Sequence, residues 1–168
     1  MVQDGLTTDV AIIGGRLAGL MLARRLARGG LDFQLLEARN RLGGRIQTTH
    51  VGAGYFDLGP AWFWPGQPRM AALTQDLGLK VFEQFADGAL SFVDEHGRVE
   101  RGRGFASMQG SLRVAGGLGA LSASLADTLP NDRLHLQTVA TRVADKTVRV
   151  ETSDGPKTIK AQRIAIAL

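Results

Sequence analysis

The chain has 168 residues, of which 44% are hydrophobic, and it carries a formal net charge of +4. This size and composition are typical of a globular domain with its own core, and they exclude a largely disordered chain. Because the sequence contains no cysteine, disulfide bonds, thiolate catalysis and cysteine–metal sites are excluded. There is no apolar run of membrane-spanning length and no signal-peptide pattern, so we expect a cytoplasmic protein without a membrane partner.

The positive charge raises the possibility of a nucleic-acid partner. Sixteen of the 20 basic residues are arginine, and the isoelectric point is about 10.1. However, the arginines are dispersed along the chain, and no block of basic and aromatic residues occurs. We therefore expect no nucleic-acid partner.

The first 30 residues predict a strand, a glycine turn and a helix. Residues 10–13 are an apolar run that suits a buried parallel strand. Apolar residues then recur at helical spacing over residues 17–27, and Gly29 and Gly30 are expected to end the helix. The arginines near the helix C-terminus are expected mostly to face water, where the helix dipole favours cations; they are Arg24, Arg25 and Arg28.

The glycine turn follows the dinucleotide-binding pattern G-x-G-x-x-G except at its middle glycine. Gly14 and Gly19 occupy the outer positions, but Arg16 stands where the backbone normally approaches a pyrophosphate. The side chain of Arg16 is expected to weaken or block dinucleotide binding by filling that space. The alternative is that its guanidinium pairs with a phosphate, because its charge has the right sign.

A second strand completes the predicted βαβ unit. Phe33, Leu35 and Leu36 are its apolar residues, and Glu37 ends it, 23 residues after Gly14. An acid at this offset can accept hydrogen bonds from both ribose hydroxyls of a dinucleotide, and it disfavours a 2′-phosphate. Strand, turn, helix, strand and terminal acid in this order predict a site for an ADP-containing cofactor.

The segment from Glu37 to Ile46 reads Glu-Ala-Arg-Asn-Arg-Leu-Gly-Gly-Arg-Ile. It resembles the flavin-dependent amine oxidases, which include monoamine and polyamine oxidases. The resemblance implies a Rossmann-like α/β fold and FAD as the cofactor. It implies that FAD contacts are made by Gly14, Gly15, Arg16, Leu17, Ala18, Gly19, Glu37, Ala38, Arg39, Gly43, Gly44, Arg45, Gly59, Pro60, Ala61, Trp62 and Val139.

Later segments carry the same resemblance. Residues 56–62 are similar to the family's turn beside the flavin ring, with Pro60 where a second glycine is common; proline removes one backbone N–H there. Residues 113–121 resemble the arginine, Gly-Gly and helix that re-enter the FAD domain. Residues 134–139 resemble a strand whose valine contacts adenine, and residues 148–155 and 163–168 resemble the hairpin and strand that follow. The resemblance thus covers the N-terminal portion of such an enzyme, and we expect most of the substrate domain to be absent.

These matches predict a discontinuous FAD-binding domain over residues 1–64 and 111–168, with a partial substrate-side insertion over residues 65–110. Within the insertion, residues 69–77 are expected to form a helix and residues 90–101 a hairpin. A second helix is expected over residues 119–129. The last 36 residues are expected to form a small antiparallel meander and a strand that returns to the main sheet.

Several conspicuous residues have ordinary structural interpretations. Trp62 suits either an aromatic wall beside the flavin or plain packing, whereas Phe63 and Trp64 are expected to be core or exposed patch. Asp57 is expected to cap its turn rather than to catalyse. The histidines lack metal-ligand spacing, so no metal is expected, and solvent-exposed positions are predicted for His50, His96 and His135.

The resemblance implies an FAD-dependent oxidoreductase, a flavoprotein that oxidises a small-molecule amine by hydride transfer to flavin with O₂ as acceptor. A second hypothesis is a non-catalytic truncated fragment or a weak FAD- or ADP-binding module, because of Arg16, Pro60 and the early end of the resemblance. A third is an NAD-dependent dehydrogenase, which Glu37 would suit but the Gly-Gly-Arg segment disfavours. The sequence identifies no catalytic residue, substrate or oligomeric state.

Overall fold

The computed structural model describes residues 3–102 and 108–168, so residues 1–2 and 103–107 of the predicted domains lie outside the described residues. A short 3₁₀ helix, Asn131–Arg133, precedes the ninth strand. The helices and strands in chain order are β1 (Thr7–Ile13), α1 (Leu17–Arg28), β2 (Phe33–Leu36), β3 (Thr48–Val51), β4 (Gly54–Asp57), α2 (Pro68–Asp76), β5 (Val81–Glu83), β6 (Ser91–Val93), β7 (Val99–Arg101), β8 (Leu112–Val114), α3 (Leu118–Asp127), β9 (Leu134–His135), β10 (Val139–Ala144), β11 (Thr147–Thr152) and β12 (Gly155–Ile166).

The main sheet has six strands in the order β10-β11-β12-β1-β2-β9. Strands β12, β1, β2 and β9 run parallel, and Val10 of β1 lies opposite both Phe33 of β2 and Arg163 of β12. Strands β10, β11 and β12 form an antiparallel meander at one side. The long strand β12 is therefore both the last strand of the predicted meander and the predicted return strand. This architecture confirms the predicted α/β class with a parallel sheet and a small antiparallel meander.

Strand β1 lies at the centre of the sheet and contributes side chains to both faces. Ile12 packs on one face in a cluster that includes Leu20 of α1 and Leu121 of α3. Ala11 and Ile13 pack on the other face in a cluster with three meander residues and Leu36; the three are Val148, Val150 and Ile159. Alternate residues of a strand point to opposite faces, so a fully apolar run at residues 10–13 fits a strand covered on both sides.

Helix α1 ends where the sequence predicts, with the backbone N–H groups of Gly29 and Gly30 donating to carbonyls of its last turn. The prediction that Arg24 faces water is wrong, because this residue is only 6% exposed. Its guanidinium donates to Asp76 of α2, which packs against that face of α1. At 12 residues, α1 is the longest helix in the described part of the chain, and none there is long and apolar enough to cross a membrane.

The segment predicted as an insertion, residues 65–110, contains α2, β5 and the predicted hairpin of β6 and β7. Leu73 of α2 lies in the same buried cluster as α1 and α3. Strand β5 pairs antiparallel with β8, which places Val81 opposite Val114, and β6 pairs with β7. The segment is thus anchored on the main core at its helix, and the division into two domains stays a prediction.

Candidate cofactor site

The turn between β1 and α1 packs closely against the end of β12. A Cβ on Gly14 would lie 2.5 Å from the carbonyl oxygen of Ala167, and Gly14 has a φ of +111°. A Cβ on Gly19 would lie 2.0 Å from the carbonyl oxygen of Gly14. Both outer glycines of the motif are therefore required by close backbone packing, and they place the start of α1 at the carboxyl end of the parallel strands.

Arg16 adopts an ordinary extended backbone, with φ −77° and ψ 175°, just before α1. A glycine is therefore not needed there for its backbone conformation. The turn is joined to the Gly-Gly-Arg loop by a hydrogen bond from the backbone N–H of Gly43 to the carbonyl of Gly15, 2.8 Å long. The stem of Arg16 lies on Gly44, where a Cβ would approach its Cγ to 2.4 Å. The arginine side chain is thus folded across the second loop.

An open cleft of about 570 Å³, here called the α1 cleft, lies at the start of α1. Its wall is formed by the helix start, the Gly-Gly-Arg loop, the turn after β4 and the chain after β12. The lining residues from the predicted site are Arg16, Leu17, Ala18, Gly43, Arg45 and Pro60. The guanidinium groups of Arg16 and Arg45 line the cleft, and no acidic side chain of the described residues does so. The positive end of the α1 dipole adds to the positive electrostatic potential of the cleft. The cleft therefore suits a doubly charged anion such as a pyrophosphate.

Glu37 follows β2 directly and is buried, with 7% of its surface exposed. Its Oε2 accepts a hydrogen bond from the backbone N–H of Gly15 at 2.8 Å, and its Oε1 accepts one from the N–H of Arg39 at 2.9 Å. Each carboxylate oxygen can accept a second hydrogen bond. The carboxylate is thus held next to the glycine turn with acceptor capacity left for two hydroxyl groups.

The chain before β10 runs alongside the residues after β2. The N–H of Thr138 donates to the carbonyl of Glu37 at 2.9 Å, and the N–H of Gln137 donates to the carbonyl of Arg39 at 2.9 Å. Val139 is the next residue and begins β10, with 43% of its surface exposed. Of the predicted site, Glu37, Arg39 and Val139 are therefore grouped on one side of the glycine turn, where Ala38 is exposed to solvent.

Arg41 supports the Gly-Gly-Arg loop, a role that the sequence did not predict. Its guanidinium donates to the carbonyls of Leu42 (3.3 Å), Gly44 (2.9 Å) and Ile46 (3.3 Å). Gly43 and Gly44 have φ angles of +95° and +61°, so this loop needs both glycines and an external donor for its carbonyls. The only sequence signal for this role was the position of Arg41 itself, two residues after Arg39 and two residues before Gly43.

The turn after β4 lies against the same loop. A Cβ on Gly59 would be 1.9 Å from the carbonyl oxygen of Arg45, so no larger residue fits there. Pro60 lines the α1 cleft, and Ala61 is half-buried. Trp62 is 46% exposed and does not line that cleft, whereas Phe63 is buried and exchanges two backbone hydrogen bonds with Leu112. The predicted flavin-side turn is therefore brought to the Gly-Gly-Arg loop through its glycine and proline.

Asp57 has a structural role, but it does not cap its own turn as expected. Its Oδ1 accepts hydrogen bonds from the N–H of Leu118 (2.9 Å) and from the hydroxyl of Thr48 (2.6 Å). Its Oδ2 pairs with the guanidinium of Arg113 at 3.0 Å, and its side chain is 1% exposed. The carboxylate therefore caps the start of α3, a helix 61 residues further along the chain.

The prediction that His135 is exposed is wrong, whereas His50 and His96 are exposed as expected. His135 is 7% exposed because β9 pairs with β2, and its Nε2 donates to Oε1 of Gln34 at 2.6 Å. Burial lowers the pKa of His135 below its ordinary value, since the charged ring loses its hydration. Across residues 3–102 and 108–168, no group of three or more histidine and acidic side chains is placed to hold a metal ion.

Residues 17–106, just over half of the chain, match the family described as flavin containing amine oxidoreductase. The match begins directly after Arg16, so it includes Gly19, Glu37 and the Gly-Gly-Arg loop but not the unusual arginine. Amine oxidases of this family bind FAD, and the cofactor prediction is confirmed at that level.

Curated relatives match about half of the chain. Putrescine oxidase of Kocuria rosea is 33% identical over 95 residues, which cover 56% of this chain and 20% of that protein. The flavin-containing amine oxidase A of Canis lupus familiaris is 41% identical over 83 residues, 48% of this chain and 15% of that protein. The matched part thus spans a fifth or less of the length of these relatives.

Solved structures share the fold over nearly the whole chain. Wild-type putrescine oxidase bound to putrescine superposes with a TM-score of 0.83 at 19% identity, over 98% of this chain and 58% of that one. Cyclohexylamine oxidase from Brevibacterium oxydans superposes with a TM-score of 0.81 at 16% identity, over 99% and 58%. Identities this low show the fold alone. The family match over residues 17–106 shows that the chain belongs to the flavin-containing amine oxidoreductase family.

Proposed function

We propose that this chain is the FAD-binding portion of an enzyme that oxidises a small-molecule amine, and that the α1 cleft receives the FAD pyrophosphate. The observation that carries the proposal is the composition of the cleft. Arg16, Arg45 and the start of α1 supply positive charge there, and no described lining residue is acidic. The residues present therefore fit a dinucleotide, although one motif glycine is missing.

Arg16 would contact phosphate with its side chain where other dinucleotide sites use a bare backbone. Its guanidinium has no hydrogen-bond or ion-pair partner within the described residues, and its stem is supported by Gly44. An arginine fork can donate two hydrogen bonds to one phosphate group. The extended backbone at Arg16 and the 570 Å³ of open cleft favour this pairing over the steric block.

Glu37 would hold the adenosine ribose. The N–H groups of Gly15 and Arg39 fix both carboxylate oxygens and leave each with acceptor capacity. A carboxylate that is already oriented loses little further freedom when it accepts ribose hydroxyls. Val139, which follows the strand contact at Thr138, would border the adenine on that side.

FAD, when bound, supplies the redox chemistry by accepting a hydride from the carbon next to the substrate amine, with O₂ as the proposed final acceptor. The residues of this chain bind and orient the cofactor. Arg41 and Gly59 hold the Gly-Gly-Arg loop in place, so Arg45 and Pro60 face the cleft from fixed positions. We assign no catalytic residue within the described part of the chain.

Purification followed by an absorption spectrum tests the proposal. The chain is mixed with excess FAD and desalted, and the visible flavin bands of the protein fraction are compared with those of Glu37→Ala treated identically. The expected result is a stoichiometric flavin spectrum in the wild type and a reduced one in the variant. A correctly folded wild-type chain that leaves the column colourless would contradict FAD binding. Retained flavin with no amine-dependent bleaching would instead support the alternative of a non-catalytic FAD-binding module.

A further inference from the structure

A second cleft, here called the arginine cleft, lies between α1 and α2 and has a volume of about 490 Å³. Three arginines of α1 and one of α2 line it: Arg24, Arg25, Arg28 and Arg69. It is separate from the α1 cleft, because Arg25 lies eight residues beyond Leu17, about 12 Å further along the helix at 1.5 Å per residue.

Arginines outnumber acidic residues in the arginine cleft. Asp76 is its only acidic lining residue within the described part of the chain, so four arginines leave a formal charge of +3. The whole chain carries +4. The formal charge of this one cleft is thus nearly as large as the net charge of the whole chain.

Asp76 is already committed to two of these arginines. Its Oδ2 accepts from Arg24 at 2.5 Å and from Arg28 at 3.4 Å. The hydrogen bond from Arg24 holds the pKa of Asp76 below its ordinary value, so the carboxylate stays ionised but cannot neutralise the other cations. The Arg24 side chain is 8% exposed, and its Nε has no hydrogen-bond partner among residues 3–102 and 108–168.

The other two arginines of the arginine cleft, Arg25 and Arg69, have no acidic partner within the described residues. Arg25 and Arg69 are exposed, and their guanidinium groups have no hydrogen-bond or ion-pair partner within the described residues. The C-terminal dipole of α1 is equivalent to about −0.5 charge, which is too little to balance +3. The start of α2, next to Arg69, adds positive rather than negative potential.

We propose that the arginine cleft binds a phosphate-type oxyanion, as a site separate from the cofactor site. Guanidinium groups from two helices face one open space, and the planar fork of arginine matches the oxygen geometry of phosphate. Arg24 is fixed by Asp76 and defines the floor, whereas Arg25, Arg28 and Arg69 can close on an anion from the rim.

Titration of the ¹⁵N-labelled full chain with inorganic pyrophosphate, followed by NMR, tests this proposal. The amides of Arg25, Arg28 and Arg69 report on the arginine cleft, and those of Leu17 and Ala18 report separately on the α1 cleft. The expected result is a saturable shift of the first group. In the double variant Arg25→Gln with Arg28→Gln, which keeps good helix formers at exposed positions, the apparent affinity should fall about tenfold.

The matched control removes the same charge elsewhere. Arg142 and Arg149 are exposed and lie opposite each other across the β10–β11 hairpin, so Arg142→Gln with Arg149→Gln should leave the shifts at the arginine cleft unchanged. Absence of saturable shifts of the Arg25, Arg28 and Arg69 amides in the wild type would overturn the proposal. An equal loss of affinity in both double variants would also overturn it, because it would show a general effect of net charge.

Discussion

The backbone N–H of Gly15 donates a hydrogen bond of 2.8 Å to Oε2 of Glu37, across 22 residues of chain. This bond joins the glycine turn to the end of β2, so the two halves of the candidate cofactor site share one fixed contact. A Cβ on Gly15 would lie 3.2 Å from that same oxygen and 2.5 Å from Cδ2 of Leu42. The absence of a side chain at Gly15 therefore lets the acid approach the turn.

Glu37→Ala should affect both stability and cofactor binding. It leaves the N–H groups of Gly15 and Arg39 without their acceptor, and it should weaken FAD binding by about 1 to 3 kcal/mol through loss of the ribose contacts. Glu37→Gln keeps one acceptor oxygen. Its stability and its FAD affinity should therefore lie between those of the wild type and those of Glu37→Ala. Urea unfolding and fluorescence titration with FAD measure the effects separately. An unchanged FAD affinity in a folded Glu37→Ala protein would remove Glu37 from the proposed site.

Arg16→Gly should weaken FAD binding by about 1 to 2 kcal/mol, because it removes a cation from the cleft while restoring the usual motif. The affinity loss should shrink at high salt, since screening acts on exposed charge pairs. Arg142→Gln is the control for net charge alone and should bind FAD like the wild type. Tighter binding by Arg16→Gly would show that the arginine obstructs the site.

Asp57→Ala should lower the free energy of unfolding by about 3 to 5 kcal/mol. The substitution leaves the half-buried guanidinium of Arg113 without its carboxylate, and it removes the acceptor that caps the start of α3. Asp57→Asn should cost less, since it keeps an acceptor for Leu118. Chemical denaturation gives both values. The exposed Asp87 is the control, and equal stability of Asp57→Ala and Asp87→Ala would refute the capping role.

His135 should make the fold less stable in mild acid. Its pKa is lowered in the folded protein, so the unfolded chain takes up a proton first as the pH falls through the ordinary value of 6.5. The contribution of the neutral ring is complete above that value and is lost progressively below it. Denaturation from pH 7 to pH 5 should show a steeper stability loss in the wild type than in His135→Gln. His96→Gln, at an exposed position, should follow the wild type; parallel curves for all three would contradict the assignment.

The local elements could be predicted from the sequence because their signals are local. The apolar run of β1, the helical spacing of α1 with Gly29 and Gly30, and the turn at Asp145 and Lys146, where both residues have positive φ, all lie within a few residues. These elements bring the glycine turn and Glu37 together, so this contact between the two halves of the candidate site was accessible to sequence reasoning.

The wrong predictions concern side chains whose surroundings come from distant segments. Arg24 is buried because α2 packs on α1 and supplies Asp76, which lies 52 residues away. His135 is buried because its two-residue strand adds to β2, where Gln34 provides its partner 101 residues earlier. The hydrophobic periodicity of one segment carries no information about contacts with distant segments. It also did not show that the Arg41 guanidinium donates to the carbonyls of its own loop.

The central claim is that the pyrophosphate of FAD lies in the α1 cleft, in contact with Arg16. A crystal structure of the chain grown with FAD tests it most directly. We expect pyrophosphate density at the start of α1, within hydrogen-bond distance of the Arg16 guanidinium, and ribose hydroxyls on the Glu37 carboxylate. A cleft filled by the Arg16 side chain, or FAD bound away from Glu37, would contradict the proposed function.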